Sequence, residues 1–216
     1  SSGVAVIILD DNRQNHIVAV YGANMECDQD QLRAAESALE GADSLLLQME
    51  VPFPISLAAA RTAKDRGVRV TWDPSPVGDV SPEAYSALDI LTPNQGEAES
   101  LTGVEVTDVT SAQAAAEALR ERGVPAVVVK LGGQGAYYSS PSGSGYVAPY
   151  KVEVVDTVAA GDAFGGAMAV ALAEGAGLEE AVRYGAAAGA LAVTRPGAQE
   201  AMPARSDVED LVSRSS

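Results

Sequence analysis

One cysteine, Cys27, and one histidine, His16, are all that the 216 residues contain of either type. The first count excludes an internal disulfide, and the two together leave no Cys/His set from which a zinc site is assembled, so a reducing, cytoplasmic compartment fits. Lysine is scarce too, at three positions (Lys64, Lys130 and Lys151), and 14 basic residues face 30 acidic ones for a net charge of −16. Nucleic acid is thereby a poor partner, because neutralising phosphates with Lys and Arg supplies most of that affinity. No apolar run approaches the roughly 20 residues that a membrane-spanning helix requires. The opening Ser1-Ser2-Gly3-Val4 carries neither an initiator Met nor a signal-peptide pattern, which reads as an appended scar or a cut edge and implies no export. No G-x-x-x-x-G-K-[ST] phosphate loop occurs anywhere.

What is present fits one α/β domain. Hydrophobic residues make up 47% of the chain, enough for a substantial core, and neither an internal repeat nor a dividing linker interrupts it. The stretch VAVIILDDNRQNHIVAVYG holds two β-branched runs, Val4 to Leu9 and Ile17 to Tyr21, around a polar turn near Asp11-Asn12, the pattern of a hairpin. Both runs are apolar at nearly every position, so its second face calls for cover from a further segment or a partner chain. From residue 30 onward, helical periodicity over about 29–40, 55–66, 111–122, 161–174 and 178–193 alternates with short buried runs at Ser44–Met49, Val68–Trp72, Asp89–Thr92 and Ala126–Leu131. That alternation predicts a doubly wound, mostly parallel sheet with flanking helices. Ser139 to Gly145 reads as a hairpin tip or mobile loop, and Ser206 with Glu209 three residues on has the spacing of a capping box opening the last helix.

Ligands of open parallel sheets bind beyond the carboxyl ends of the strands. Glu50, Asp73, Asn94 and the pair Gly132-Gly133 each follow a predicted strand, so the four should share one rim. The chemically richest segment is Val155 to Gly166, VDTVAAGDAFGG, where a strand end, a turn of small residues and a helix start follow one another. Small residues let the backbone approach an anion, and the free N–H groups and dipole of the helix start attract phosphate. Asp162, in the first helical turn, has two readings: a helix-start carboxylate, or a base that meets a hydroxyl attacking a γ-phosphate. The glycines of LGGQG follow a strand but precede YYSSPSGSG instead of a helix, which excludes a dinucleotide fingerprint. Cys27 and His16 read as structural, and GAAAGALA at 185–192 as a close helix-packing stripe.

DTVAAGD at 156–162 resembles the DTxxAGD/DTxGAGD signature of the ribokinase-like (pfkB) family of carbohydrate kinases. LTPNQGEAESLTG at 91–103 is similar to the family's N-x-x-E segment, VVVKLGGQGAYY at 127–138 to its nucleotide-side glycine turn, and AVTRPGAQEAMP at 192–203 to its C-terminal loop. The resemblance spans essentially the whole chain in the family's order. It implies a lid hairpin at 1–24 on a nucleotide-binding and catalytic core at 25–216, and ATP-dependent phosphorylation of a sugar primary hydroxyl, D-ribose foremost. Asp162 then matches the general base that meets the sugar, and the amides of Ala159, Ala160 and Gly161 match the anion hole. Glu50 matches a contact to ribose hydroxyls, and Asn94, Lys130, Gly132 and Gly135 border the nucleotide. Glu97 matches the residue that holds Mg²⁺ through water. Asp156, Val158, Ala192, Arg195 and Gly197 match a monovalent-cation site for K⁺, with Ala201 where relatives offer a hydroxyl. The family's N-x-D and G-G-K-G-A-N sugar motifs do not occur in the chain. Their absence implies either a homodimer or a complementing N-terminal segment, or else a nucleotide-binding module without transfer activity.

Overall fold

Residues 1–9, 15–78 and 80–214 are described by the computed structural model, without the side chains of 7–9 and 15–17; the expected turn near Asp11-Asn12 and the His16 side chain lie outside the described residues. Strands β1 (Val4–Leu9) and β2 (Asn15–Val20) pair antiparallel in a sheet of their own. Register pairs Val4 with Val20 and Val6 with Val18, which puts the four on one face, and each is 54 to 68% exposed. The apolar face expected to need cover is therefore open among the described residues.

The second sheet has six strands in chain order: β3 (Ser44–Leu47), β4 (Arg69–Trp72), β5 (Ile90–Leu91), β6 (Ala126–Lys130), β7 (Ala136–Ser140) and β8 (Gly143–Val147). Pairing is parallel from β3 to β6 and antiparallel from β6 to β8. Parallel neighbours need crossovers, and crossovers of one hand deliver their helices to one face. There α2 (Phe53–Asp65), α4 (Gln95–Thr102) and α5 (Val109–Glu121) bury alanines against Val70, Leu91, Val127 and Val129. Helix α1 (Gln29–Ala38) leans on α2, and α3 (Pro82–Tyr85) is a single turn. The antiparallel turn-back through β7 and β8 lets α6 (Ala160–Ala173) and α7 (Leu178–Ala192) cover the opposite face, where Phe164, Met168 and Val182 meet Ile90 and Val128. Alternating side chains of β6 thus feed both cores, as a strand buried on both sides requires. Each large side chain so buried contributes roughly 1.5–3 kcal/mol. Helix α8 (Arg205–Arg214) closes the far side of α7. No helix among the described residues is long and apolar enough to cross a membrane.

Of the two readings of Ser139 to Gly145, the structure has the hairpin tip: β7 and β8 pair antiparallel and leave a two-residue turn between Ser140 and Gly143. Two other local features differ from the sequence reading. Helix α4 is absent from the periodicity because eight residues give too few turns to show it, although Asn94 and Glu97 form a full capping box and Gly103 ends the helix at φ 78°. The spacing of Ser206 and Glu209 does not make a box: α8 already includes Ser206, and the Glu209 carboxylate takes a hydrogen bond from Arg205 Nε at 2.6 Å instead.

Helices α6 and α7 approach through glycine. A Cβ on Gly185 would lie 2.9 Å from the Phe164 carbonyl oxygen, and one on Gly189 3.1 Å from that of Ala160. Gly185→Ala brings about 1 kcal/mol of helix propensity but overpacks against backbone, which costs about 1–3 kcal/mol. Overpacking wins, and the melting temperature of Gly185→Ala should fall by about 2–4 °C per kcal/mol lost; thermal unfolding followed by circular dichroism measures it.

Candidate active site

The first turn of α6 is built for an anion. Its N-cap, Ala159, has φ 60° and ψ 10°, the one left-handed non-glycine residue described. That conformation costs an L-residue about 1–2 kcal/mol. It turns the chain so that the Ala160 N–H makes only a long 3.5 Å bond to the Thr157 carbonyl, and the first intrahelical acceptor, Ala159 O, serves Ala163. The N–H groups of Gly161 and Asp162 have no intrahelical partner at such a terminus. The turn is braced from behind by Asp156, whose carboxylate accepts N–H bonds from Val158 at 3.0 Å and Gly197 at 3.1 Å. Those bonds hold the Asp156 carboxyl below the usual carboxylate range. The Val193 carbonyl in turn accepts from Val155 and Asp156 N–H, so the loop after α7 is stitched to the approach to α6.

Opposite this turn stands the rim of the parallel strands. Asp73, after β4, is fixed by its N–H bond to Leu47 O at 2.8 Å, and Lys130, ending β6, by one to Pro93 O at 2.8 Å. Their side chains meet in an ion pair, with 15% of the lysine and 20% of the aspartate side chain exposed. At an effective dielectric near 20, two charges about 4 Å apart attract by about 4 kcal/mol. That exceeds the roughly 2 kcal/mol of rotamer freedom a lysine gives up, so the ammonium is localised. Burial raises the Asp73 carboxyl, and the neighbouring Lys130 only partly offsets it.

Asn94 and Glu97 open α4 reciprocally. The Asn94 Oδ1 accepts from Glu97 N–H at 2.9 Å, and the Glu97 Oε2 accepts from Asn94 N–H at 2.7 Å. Glu97 is buried, which raises its carboxyl while the Asn94 N–H pulls the other way. Glu97 therefore closes the start of α4 and at the same time lines the cleft.

These elements surround a cavity of about 900 Å³ between the first sheet and the rim of the second. Of the expected site residues, Glu50, Asn94, Glu97, Lys130, Val158, Ala159, Ala160, Gly161 and Asp162 line it together. Gly132, Gly135, Asp156, Ala192, Arg195 and Gly197 stand outside its lining. Gly132 and Gly135 shape the β6–β7 turn. At Gly135, φ is 89° and a Cβ would lie 2.2 Å from the Val147 carbonyl oxygen, so only glycine fits there. Asp156, Ala192, Arg195 and Gly197 gather behind the α6 turn, where the Arg195 N–H bonds the Ala192 carbonyl at 3.3 Å.

Tyr21, Asn24, Gln48 and Ser75 line the cavity without having been singled out in the sequence, and Asp73, expected on the rim, lines it as well. Gln48 carried a signal, standing two residues before Glu50 at the same strand end. Among the described residues the lining holds four carboxylates, Glu50, Asp73, Glu97 and Asp162, and one basic side chain, Lys130. A helix start, a localised ammonium and an exposed carboxylate on one wall are the parts that phosphoryl transfer to a hydroxyl uses.

Comparison with known proteins points the same way. The model of the pfkB family carbohydrate kinases matches residues 1–205. Ribokinase of Haemophilus influenzae is 39% identical over 206 residues, 95% of this chain and 67% of that protein. The crystal structure of Thermotoga maritima ribokinase superimposes with a TM-score of 0.85 at 41% identity, covering 98% of this chain and 69% of that one. The structure of Arabidopsis thaliana ribokinase complexed with ribose and ATP does so with a TM-score of 0.85 at 34% identity, covering 97% and 69%. The chain thus spans about two thirds of the length of these relatives. With that match over nearly every residue, and with the fold and the α6 anion turn in the corresponding order, the chain belongs to the pfkB family of carbohydrate kinases.

Proposed function

We propose that this chain supplies the nucleotide-binding and catalytic part of a kinase that transfers the γ-phosphoryl group of ATP to the primary hydroxyl of a sugar, D-ribose foremost. The observation that carries the reading is the first turn of α6, which presents Asp162 beside N–H groups that lack helical acceptors. Relatives named ribokinase, one of them complexed with ribose and ATP, support the choice of substrates.

In this reading the amides of Ala159, Ala160 and Gly161 take the γ-phosphate oxygens, and Lys130, whose Nζ lies near Gly161, meets the same group. Asp162 accepts the proton of the sugar hydroxyl as its oxygen forms the new bond to phosphorus and the bond from phosphorus to the ADP oxygen breaks. The turn's amides act on the charge of the group in flight and need no rearrangement to do so. Glu50 orients the sugar hydroxyls. Asn94, Lys130, Gly132 and Gly135 border the nucleotide. Residues 1–24 form a lid on the core of residues 25–216, since Val4, Ala5, Ala19 and Val20 roof the cavity.

A lining with four carboxylates and one lysine suits a polyphosphate that arrives with a cation. Mg²⁺, which keeps several waters when bound beside phosphates, would be held by Glu97 through water and would neutralise the β and γ oxygens. The carbonyl-rich loop of Val158, Ala192, Arg195 and Gly197, with Asp156, would hold K⁺ behind the anion turn.

ATP consumption in the presence of ribose, Mg²⁺ and K⁺ tests the reading. Asp162→Asn should abolish transfer while calorimetry finds ATP affinity within about threefold, because the lost carboxylate acts on the hydroxyl and not on the nucleotide. Unchanged turnover in that variant rejects Asp162 as the base. ATP binding with no ribose-dependent turnover in the parent chain would replace the kinase reading with a nucleotide-binding module. Glu97→Gln keeps a capping-box acceptor, so its melting temperature should stay at the parent value while its Mg²⁺ requirement rises; an unaltered Mg²⁺ titration removes Glu97 from the metal site.

A further inference from the structure

Among the described residues Lys130 is the only basic side chain lining a cavity that must receive a polyanion, and the function just proposed does not explain what holds it there. A lysine on a four-carbon stem sweeps a wide volume unless something fixes its end. Here the ammonium end lies near the anion turn: a Cβ built on Gly161 would fall 3.6 Å from Lys130 Nζ. The group that keeps it near that turn is the Asp73 carboxylate, to which Nζ is bonded through Oδ2. Both backbones are pinned, Asp73 to β3 through Leu47 O and Lys130 to the β5–α4 connection through Pro93 O. The pair therefore spans a rigid rim. Asp73 itself lines the cavity together with Asp162.

We propose that Asp73 is a positioning residue for phosphoryl transfer: its ion pair holds Lys130 Nζ beside the first turn of α6, so that the one lining ammonium meets the phosphoryl group in flight. This inference rests on the kinase reading and on Lys130 facing the phosphates. It gives Asp73 a role distinct from nucleotide affinity. As a fourth carboxylate it repels the incoming polyphosphate, so it works against binding while it aims the cation.

That opposition makes the test specific. Asp73→Asn, Lys130→Met and the double variant are compared by calorimetric ATP affinity in Mg²⁺ and by kcat for ribose phosphorylation. Asp73→Asn should lower kcat by about tenfold or more while ATP affinity holds or tightens, whereas Lys130→Met should lower both. The double variant should be no slower than Lys130→Met within about twofold, since Asp73 has nothing left to aim. A double variant slowed by a further factor equal to that of Asp73→Asn alone would overturn the proposal, showing that Asp73 acts independently of Lys130, and the reading of Lys130 would stand. A Lys130→Met enzyme with parental affinity and kcat would instead overturn the reading of Lys130, and Asp73 with it. Should Asp73→Asn fail to fold, Asp73→Glu, which keeps the charge and displaces it by one methylene, must show the same loss of kcat at retained affinity, and a parental kcat in it would count against the proposal.

Discussion

Where the first turn of α6 is held decides what the rest of the site can do. A helix start attracts phosphate only within its first turn, and its unpaired N–H groups must point at the ligand without rearranging. Three unrelated features fix that turn. Ala159 takes a left-handed conformation that costs it energy, Asp156 ties the approach to the loop after α7, and Gly189 lets α7 come up under the Ala160 carbonyl. Strain at one residue persists because packing on both sides over-determines it. The alanine and glycine content of α6 and α7 thus serves the site as well as the core, since larger side chains would push the anion turn away from the sheet.

The second constraint is charge. A chain with a net charge of −16 and a cavity with four carboxylates repels the donor that its site is shaped to receive. The helix dipole, one lysine and whatever cations travel with the phosphates must overcome that repulsion. Each carboxylate has a separate task in this account: Glu50 and Asp162 face the sugar, Glu97 the metal, and Asp73 the lysine. Burial raises the carboxyl groups of both Asp73 and Glu97, and each is met by a compensating partner, Lys130 for one and the Asn94 N–H for the other.

Much of this was legible in the sequence because it was written in local chemistry. The long helices α1, α2, α5, α6 and α7 and the strands β3 to β6 follow from periodicity and lie within a few residues of their expected ends. The rim follows from the rule that loops after parallel strands share one side: Glu50, Asp73 and Asn94 do converge there, whereas Gly132 and Gly133 stand outside the cavity lining. Helix α4 was not legible in periodicity because its stability comes from its caps and from Ala98 in the core. The Asp73–Lys130 pair was not legible at all, since 57 residues separate its members and only the parallel pairing of β4, β5 and β6 brings them together. Tyr21 and Asn24 reach the cavity through the position of the first sheet, which no local pattern encodes.

On the kinase reading, the α6 turn is the place where the transferred phosphoryl group rests. A crystal structure of the chain with a non-hydrolysable ATP analogue, Mg²⁺ and ribose tests it directly. The expected result has γ-phosphate oxygens at hydrogen-bond distance from the amides of Ala160 and Gly161, with Lys130 Nζ on the same group. A nucleotide whose γ-phosphate lies elsewhere in the cavity, with the α6 amides turned to solvent, would contradict it.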